Sequence, residues 1–277
     1  MQNFITMGLD KIISQISIIK AQKQPTYTNF YTYENRFYEV KITPHSIIIL
    51  KKESGFFRLY FFTNYLEELK NTLFYLENKQ TLCIEILQKQ EDISFEFLEK
   101  KALYARLKKK LYHPFLKTSF YNPPPLDAKE IQALIQKDFN IYFDHFPHLE
   151  TIQNWIKNGN ILSLYKNNKI ISYLIFEHRG KGVYINYIAN YGGKESLIEI
   201  WRCFYQKLNN FAIEFVYLWC DTHNTKAMNM YKIEGFIPDG LKNFIYIKTP
   251  AIKQWGGGLE EYNPGILLES CLFQKAA

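Results

Sequence analysis

Two strand-like segments joined by a glycine turn and a helix constrain the fold of this chain more than any other feature. Residues 183–189 and 215–220 are rich in apolar and aromatic side chains, and Gly192-Gly193 lies between them, followed by apolar residues at helical spacing up to Leu208. Such an arrangement is a βαβ unit, so we predict two parallel strands joined by a right-handed crossover. The turn brings backbone N–H groups to a helix N-terminus, where anions bind.

The βαβ unit lies within a longer alternation of helices and strands. The other predicted elements are, in chain order, helices over 126–140 and 150–158, strands over 161–165 and 169–176, a helix that begins at Asn224 and a strand over 241–248. This order predicts one α/β domain in the C-terminal part of the chain.

A proline run marks the clearest domain boundary. Residues 122–125 read Asn-Pro-Pro-Pro, and because proline continues neither a helix nor a central strand, we interpret them as a stiff, Pro-rich linker. We therefore divide the chain into an N-terminal lobe over 1–121, a C-terminal lobe over 126–248 and a tail over 249–277, whose packing the sequence leaves open.

The helix after the βαβ unit carries the most specific pattern in the chain. It reads Asn224-x-x-Ala227-x-x-x-Tyr231-x-x-x-Gly235-Phe236 and follows the second strand of the unit. In this order of elements, the pattern resembles that of the GNAT superfamily of acyl-CoA-dependent N-acyltransferases. Supporting matches are Phe143-Asp144 and Pro147 between the first two helices, and Pro238-Asp239-Gly240-Leu241 before the last strand.

The resemblance implies both a fold and an activity. The fold is α/β, with two GNAT-like lobes, each a mixed, mostly antiparallel sheet flanked by helices with a βαβ unit. The activity is N-acetyl transfer, in which an amine acceptor, a small molecule or a peptide, attacks the thioester of acetyl-CoA directly. The resemblance assigns to Tyr231 the protonation of the departing CoA thiolate. Packing is the alternative for Tyr231, which shares a helical stripe with Ala227, Met230 and Ile233.

The acyl-CoA contacts that the resemblance implies lie along a strand end and the glycine turn. They are Ile188, Ala189, Gly192, Gly193, Lys194, Glu195, Ser196 and the helix cap Asn224. The turn departs from the family pattern, because the basic residue is absent and Glu195 replaces a small residue. A carboxylate repels phosphate, so we expect Lys194 and the backbone N–H groups of 192–196 to hold the pyrophosphate. An ordinary turn that caps a helix is the alternative.

The loop between the first two helices supplies acceptor contacts by the same resemblance. Phe143 and His145 border the acceptor pocket, together with Tyr187 of the third strand. We predict no metal at His145 and His148, because Pro147 prevents a helical arrangement and no further ligand cluster lies nearby. The general base stays open among Glu177, Asn186, Tyr187 and His223, with water as an alternative.

The N-terminal lobe repeats the order of elements without the site. Its predicted elements are strands near 36–42, 46–51 and 56–63, a helix near 65–79 and a strand near 81–88. We align 97–103 with the helix residues 230–236, which puts Leu98 in the place of Tyr231. No glycine lies at the position of the phosphate turn. We therefore expect this lobe to bind no nucleotide and to have a structural or acceptor-shaping role.

The cysteines and the net charge limit the cellular location and the possible partners of the protein. The cysteines, Cys83, Cys203, Cys220 and Cys271, are far apart, which argues against a disulfide framework and favours a reducing cytoplasm. The net charge of +7 permits an anionic ligand without requiring one. We expect no membrane and no nucleic acid partner, and a homodimer stays open.

Two rival functions stay open. Glu195 and the missing basic residue favour a catalytically inactive GNAT-fold binding or regulatory protein. The tandem lobes favour a transferase that takes an acyl or aminoacyl group from a carrier protein or tRNA. For that rival, the basic cluster around Lys108-Lys109-Lys110 is a docking patch, and otherwise it is a solvated surface.

Overall fold

A computed structural model of the chain describes residues 4–22, 26–28, 30, 37–76, 81–89, 98–111, 125–209 and 211–249. The elements of the N-terminal lobe are β1 (Ile5–Gly8), α1 (Leu9–Lys20), β2 (Thr26–Tyr27), β3 (Phe37–Ile42), β4 (Ser46–Lys52), β5 (Phe57–Thr63), α2 (Leu66–Leu76), β6 (Leu82–Gln88) and β7 (Glu99–Lys110). Those of the C-terminal lobe are α3 (Ala128–Asp138), α4 (Leu149–Lys157), β8 (Ile161–Lys166), β9 (Lys169–Arg179), β10 (Gly182–Asn190), α5 (Gly193–Leu208), β11 (Phe215–Asp221), α6 (Thr225–Ile233) and β12 (Ile237–Lys248).

The strands of the described chain form one sheet. Its order is β1-β3-β4-β5-β6-β12-β7-β11-β10-β9-β8, with β2 paired to β5 beside this path. The pairs β5–β6 and β10–β11 are parallel, and each is joined by a helix, α2 or α5, while the other described pairs are antiparallel. The predicted mixed, mostly antiparallel sheet with a βαβ unit in each lobe is confirmed.

The two lobes exchange their last strands. β7 ends the N-terminal lobe in sequence, yet it lies between β11 and β12. β12 in turn pairs with β6, from Lys242 opposite Gln88 to Lys248 opposite Leu82. Each lobe therefore completes its part of the sheet with a strand from the other, which the sequence did not predict.

Helices cover both faces of this sheet. Consecutive strand residues point to opposite faces, so neighbouring residues belong to different cores. In the N-terminal lobe, Ile48 packs in the core that contains α2, and Ile49 packs in the core that contains α1. In the C-terminal lobe, Leu174 packs in the core of α5 and α6, and Tyr173 packs in the core of α3 and α4.

The structure corrects the predicted alignment of the N-terminal lobe. Residues 99–103, which we aligned with helix α6, lie in strand β7, and Leu98 directly precedes that strand. Leu98 therefore does not replace Tyr231. β7 tolerates its charges in a central position because they have partners, as in the 2.6 Å ion pair between Arg106 and Asp239.

Two predicted features lie outside the described residues. The linker over 122–125 is described only at its last residue, Pro125, and the tail over 249–277 only at Thr249. The predicted domain boundaries stay predictions. The last strand begins at Ile237, earlier than predicted, and an irregularity in its pairing with β7 separates Pro238 from Lys242.

Candidate functional site

The parallel strands β10 and β11 pair over only part of their length. The pairing runs from Gly182 opposite Phe215 to Ile185 opposite Leu218 and ends there, although β10 continues to Asn190. Beyond that point the two strands no longer pair, and we call this stretch the strand gap. Its backbone groups are available to a ligand that lies between the strands.

A bulge in β10 marks the start of the strand gap. The register with β9 shifts between Ile185 and Tyr187, so Asn186 is the extra residue. The amide nitrogen and oxygen of Asn186 are both buried, and neither has a hydrogen-bond partner among the described residues. Buried polar groups are costly when unsatisfied, and bulges often direct a side chain towards a functional site.

The glycine turn closes one end of the strand gap. Gly193 has a φ of +84°, a conformation that favours glycine, and a Cβ there would meet no atom within 4 Å. At Gly192 a Cβ would lie 2.5 Å from Ser196 Oγ, so no side chain fits without movement. A side-chain hydrogen bond across the turn stabilises it, because Ser196 Oγ donates to Asn190 Oδ1 at 2.6 Å.

Helix α5 begins at this turn without a side-chain cap. Gly192 is its N-cap residue, and no side-chain hydrogen bond reaches the first-turn N–H groups within the described chain. Lys194 and Glu195 are both exposed at this end, whereas the Ser196 side chain is buried. An uncapped helix N-terminus favours an anion, and the exposed carboxylate of Glu195 opposes one.

Helix α6 brings Asn224 and Tyr231 to the other side of the strand gap, directly after β11. Asn224 Oδ1 accepts a hydrogen bond from the backbone N–H of Ala227 at 3.0 Å, which is the expected N-cap. Tyr231 is buried, and its ring packs in the core cluster that contains Trp201 and Phe236. Burial raises the pKa of Tyr231, with a smaller effect from Cys220, so the hydroxyl stays protonated and is a donor.

The predicted acceptor residues face the N-terminal lobe. The loop between α3 and α4, residues 139–148, is here called the acceptor loop. Phe143 packs against the core cluster that contains Phe56, and both ring nitrogens of His145 contact N-terminal-lobe side chains. Tyr187 lies on β10, and its hydroxyl donates to the backbone carbonyl of His145. Contacts with other parts of the protein thus fix the side chains of Phe143 and His145 in the acceptor loop.

The candidate general bases differ in their surroundings. Glu177 accepts from the Trp155 indole at 3.0 Å and pairs with Arg179, so its carboxylate is engaged. It lines a cavity of about 630 Å³ between α4 and β9, at the end of β9 that lies away from the glycine turn. His223 is exposed beside Asp221. Among the described residues, no group of three or more His, Cys, Asp or Glu side chains is placed to hold a metal ion.

Sequence reasoning missed a buried ionic cluster in the N-terminal lobe. Arg58 and Glu85 are single charged residues within the otherwise apolar stretches FRLYFFT and LCIEILQ. A lone charge in a buried strand signals a buried partner, because an unpaired charge there is too costly. The sequence carries that signal but does not show which residues meet.

Within the described residues, no helix combines the length and the apolar character that crossing a membrane requires.

Solved N-acetyltransferase structures share this architecture. A GCN5-related N-acetyltransferase from Sphaerobacter thermophilus has a TM-score of 0.55 over 79% of this chain and 81% of its own, at 12% identity. An acetyltransferase of the GNAT family from Colwellia psychrerythraea has a TM-score of 0.51 over 89% of this chain and 100% of its own, at 9% identity.

A solved structure of a tandem GNAT protein is also similar to this chain. A tandem GNAT protein from the clavulanic acid biosynthesis pathway has a TM-score of 0.52 over 90% of this chain and 99% of its own, at 8% identity. The sequence matches no family profile and no curated protein. At these identities the likeness concerns the fold, and the chain has the GNAT fold in two lobes.

Proposed function

We propose that the chain is an N-acetyltransferase that moves the acetyl group of acetyl-CoA to an amine acceptor. The observation that carries the proposal is the strand gap, with a bulge at one end and the uncapped N-terminus of α5 at the other. An extended thioester arm fits beside the unpaired part of the two strands, because free backbone groups there pair with its amides. Its phosphates then meet the N–H groups of the glycine turn.

The proposed cofactor contacts divide between the two ends of the strand gap. Ile188 and Ala189 border the gap on β10, and the backbone groups on the unpaired edge of this stretch are the proposed partners of the thioester arm. Backbone N–H groups of 192–196 and the ammonium of Lys194 are the proposed partners of the pyrophosphate. Glu195 is exposed, so its carboxylate has room to point away from that anion. Asn224 caps α6 beside the arm.

The proposed chemistry is direct transfer. The neutral amine attacks the thioester carbonyl carbon, the C–S bond breaks, and the CoA sulfur leaves as a thiolate. The attacking nitrogen loses its extra proton to water or to a nearby base. Tyr231 donates a hydrogen bond or its proton to the thiolate, and the unpartnered amide of Asn186 hydrogen-bonds to the reacting groups.

A carrier-protein or tRNA donor is the alternative that the tandem lobes and the basic cluster on β7 favour. Several cations of that cluster have partners within the protein. Lys109 Nζ donates to the Tyr205 hydroxyl at 2.7 Å, and Lys108 Nζ lies 3.8 Å from the centroid of the Phe215 ring. Arg106 pairs with Asp239. Since these three cations have partners within the protein, acetyl-CoA is the donor that we propose. The cytoplasmic location inferred from the cysteines stays a prediction.

A combined binding and turnover experiment tests the proposal. Acetyl-CoA is titrated calorimetrically, and CoA release is then followed with a thiol reagent across a panel of amino acids, peptides, amino sugars and polyamines. The proposal expects binding together with amine-dependent thiol release. Binding without release for any amine favours the inactive GNAT-fold alternative, for which Glu195 is the supporting observation.

A further inference from the structure

The N-terminal lobe contains a buried ionic cluster outside the strand gap. Arg58 of β5 is 1% exposed and Glu85 of β6 is 0% exposed, and Arg58 Nη1 lies 2.7 Å from Glu85 Oε1. Asn243 of β12 donates to the second carboxylate oxygen at 2.7 Å. The desolvation of two buried charges is costly unless further hydrogen bonds reach the pair, and Asn243 supplies one of these to Glu85.

The cluster holds the backbone of the acceptor loop, which belongs to the other lobe. Arg58 Nη2 donates to the carbonyl of Ile141 at 2.9 Å, and Nη1 donates to that of Tyr142 at 3.1 Å. The Cys83 thiol donates to the Tyr142 carbonyl at 3.0 Å. Three donor groups of the N-terminal lobe therefore bond to consecutive carbonyls of one loop.

His145 joins the same loop to the same carboxylate. Its Nε2 lies 2.7 Å from Glu85 Oε1, and its Nδ1 lies 3.2 Å from the Tyr60 hydroxyl. Burial lowers the pKa of His145 and outweighs the attraction of Glu85, so the ring is neutral near pH 7. In the neutral ring, Nε2–H faces Glu85 Oε1 and Nδ1 accepts from the Tyr60 hydroxyl.

The loop in turn contacts the bulge of β10. The hydroxyl of Tyr187 donates to the backbone carbonyl of His145, and Tyr187 directly follows the bulge residue Asn186. A continuous set of contacts thus runs from Glu85 through His145 and Tyr187 to the strand gap.

We propose that Glu85 is a positioning residue, through which the N-terminal lobe fixes the acceptor loop against the β10 bulge and sets the affinity for the amine acceptor. The inference rests on the proposed acetyltransferase function. The inference gives the N-terminal lobe, which lacks a glycine turn, a defined role in the acceptor site. Glu85 acts through His145 and Arg58 and does not touch the reacting atoms.

The test compares two variants with a matched control. Glu85→Gln keeps the side-chain volume and removes the charge. Tyr60→Phe removes only the hydroxyl beside His145 Nδ1 and is the milder change, for use if Glu85→Gln does not fold. Glu68→Gln is the control, because Glu68 also accepts hydrogen bonds in the N-terminal lobe, from Thr43 and Ser46, away from the loop.

Three readouts separate positioning from general stability. Hydrogen–deuterium exchange over 139–148 reports the loop, calorimetry reports the acetyl-CoA dissociation constant, and steady-state kinetics with the best amine of the panel report KM and kcat. For Glu85→Gln and Tyr60→Phe, we expect faster loop exchange and an acceptor KM raised about tenfold or more, with acetyl-CoA affinity unchanged. Glu68→Gln leaves loop exchange and KM at the wild-type values.

The inference is overturned if the variant that folds exchanges the amide hydrogens of 139–148 at the wild-type rate. An unchanged acceptor KM in a variant with faster loop exchange also overturns it, since the loop then does not set acceptor affinity. Failure of the proposed function looks different, because the wild-type protein itself then releases no CoA with any amine.

Discussion

The ring of Tyr231 packs edge-on against the indole of Trp201, with ring centroids 6.3 Å apart and an interplanar angle of 85°. On another side of the same indole, Tyr205 stacks with its centroid 5.8 Å away. The two tyrosines share one aromatic core, but only Tyr231 lies on α6 beside the strand gap. The Tyr205 hydroxyl instead accepts a hydrogen bond from Lys109 at 2.7 Å.

Tyr231→Phe tests the proposed role of the hydroxyl in thiolate departure. The change keeps the ring and its packing, so we expect little loss of stability and unchanged acetyl-CoA affinity. Turnover should fall by about 10²–10⁴-fold, the usual effect of losing a general acid. Steady-state kinetics with the best amine of the panel measure this loss.

Tyr205→Phe is the matched control for that change, because it removes a hydroxyl from the other side of Trp201. It should keep near-normal turnover. If Tyr231→Phe also keeps near-normal turnover, Tyr231 has only a packing role.

Gly193→Ala and Gly180→Ala separate backbone strain from ligand contact. Gly193 and Gly180 have φ values of +84° and +61°, and a Cβ at either position meets no atom within 4 Å. Each alanine should therefore lower the free energy of unfolding by about 1–3 kcal/mol through backbone strain. Only Gly193→Ala places its methyl group at the proposed pyrophosphate site, so only it should weaken acetyl-CoA binding. Equal affinities in the two variants would contradict a pyrophosphate at this turn.

The sequence predicted the parts of the fold that depend on local pattern. Helical spacing and turn residues identified most elements, and Asn224 was recognisable as an N-cap because capping involves only the next few residues. The exchange of β7 and β12 was not predictable, since strand pairing is decided by the whole sheet. For the same reason, Arg58 and Glu85 were visible as charges in apolar strands, but their common partner, the acceptor loop, was not.

The ionic cluster predicts a loss of stability in acid. Burial lowers the pKa of His145, so the unfolded chain binds a proton near its ordinary pKa of about 6.5 while the folded protein does not. Burial opposes ionisation of Glu85, but His145, Arg58 and Asn243 together lower its pKa to about 2. Both shifts favour the folded state at neutral pH. The contribution of His145 is lost as pH falls below about 6.5, and that of Glu85 as pH falls from about 4.5 towards 2.

Urea denaturation of the wild type and of His145→Asn measures the first of these losses. The difference in unfolding free energy between the two proteins should shrink as pH falls from 7 to 5, because only the wild type has the histidine to protonate. A difference that stays constant over this range would mean that His145 titrates equally in the folded and unfolded states.

Strand exchange predicts that the two lobes unfold together. β7 bonds to β11 and β12, and β12 also bonds to β6, so neither lobe keeps a complete sheet when the other unfolds. We expect one calorimetric transition whose van't Hoff enthalpy equals the calorimetric enthalpy. Two resolved transitions would contradict this coupling. Amide exchange that shows β6 opening without β11 would contradict it as well.

Acetyl-CoA binding is the most direct test of the account, because every proposed role depends on a ligand in the strand gap. Isothermal titration should show one site per chain, and a spin-labelled or cross-linkable CoA analogue should mark residues of β10 and the glycine turn. The N-terminal lobe, which lacks such a turn, should take up no second molecule. Titration to millimolar acetyl-CoA with no heat and no shift in Tm would contradict the proposed function.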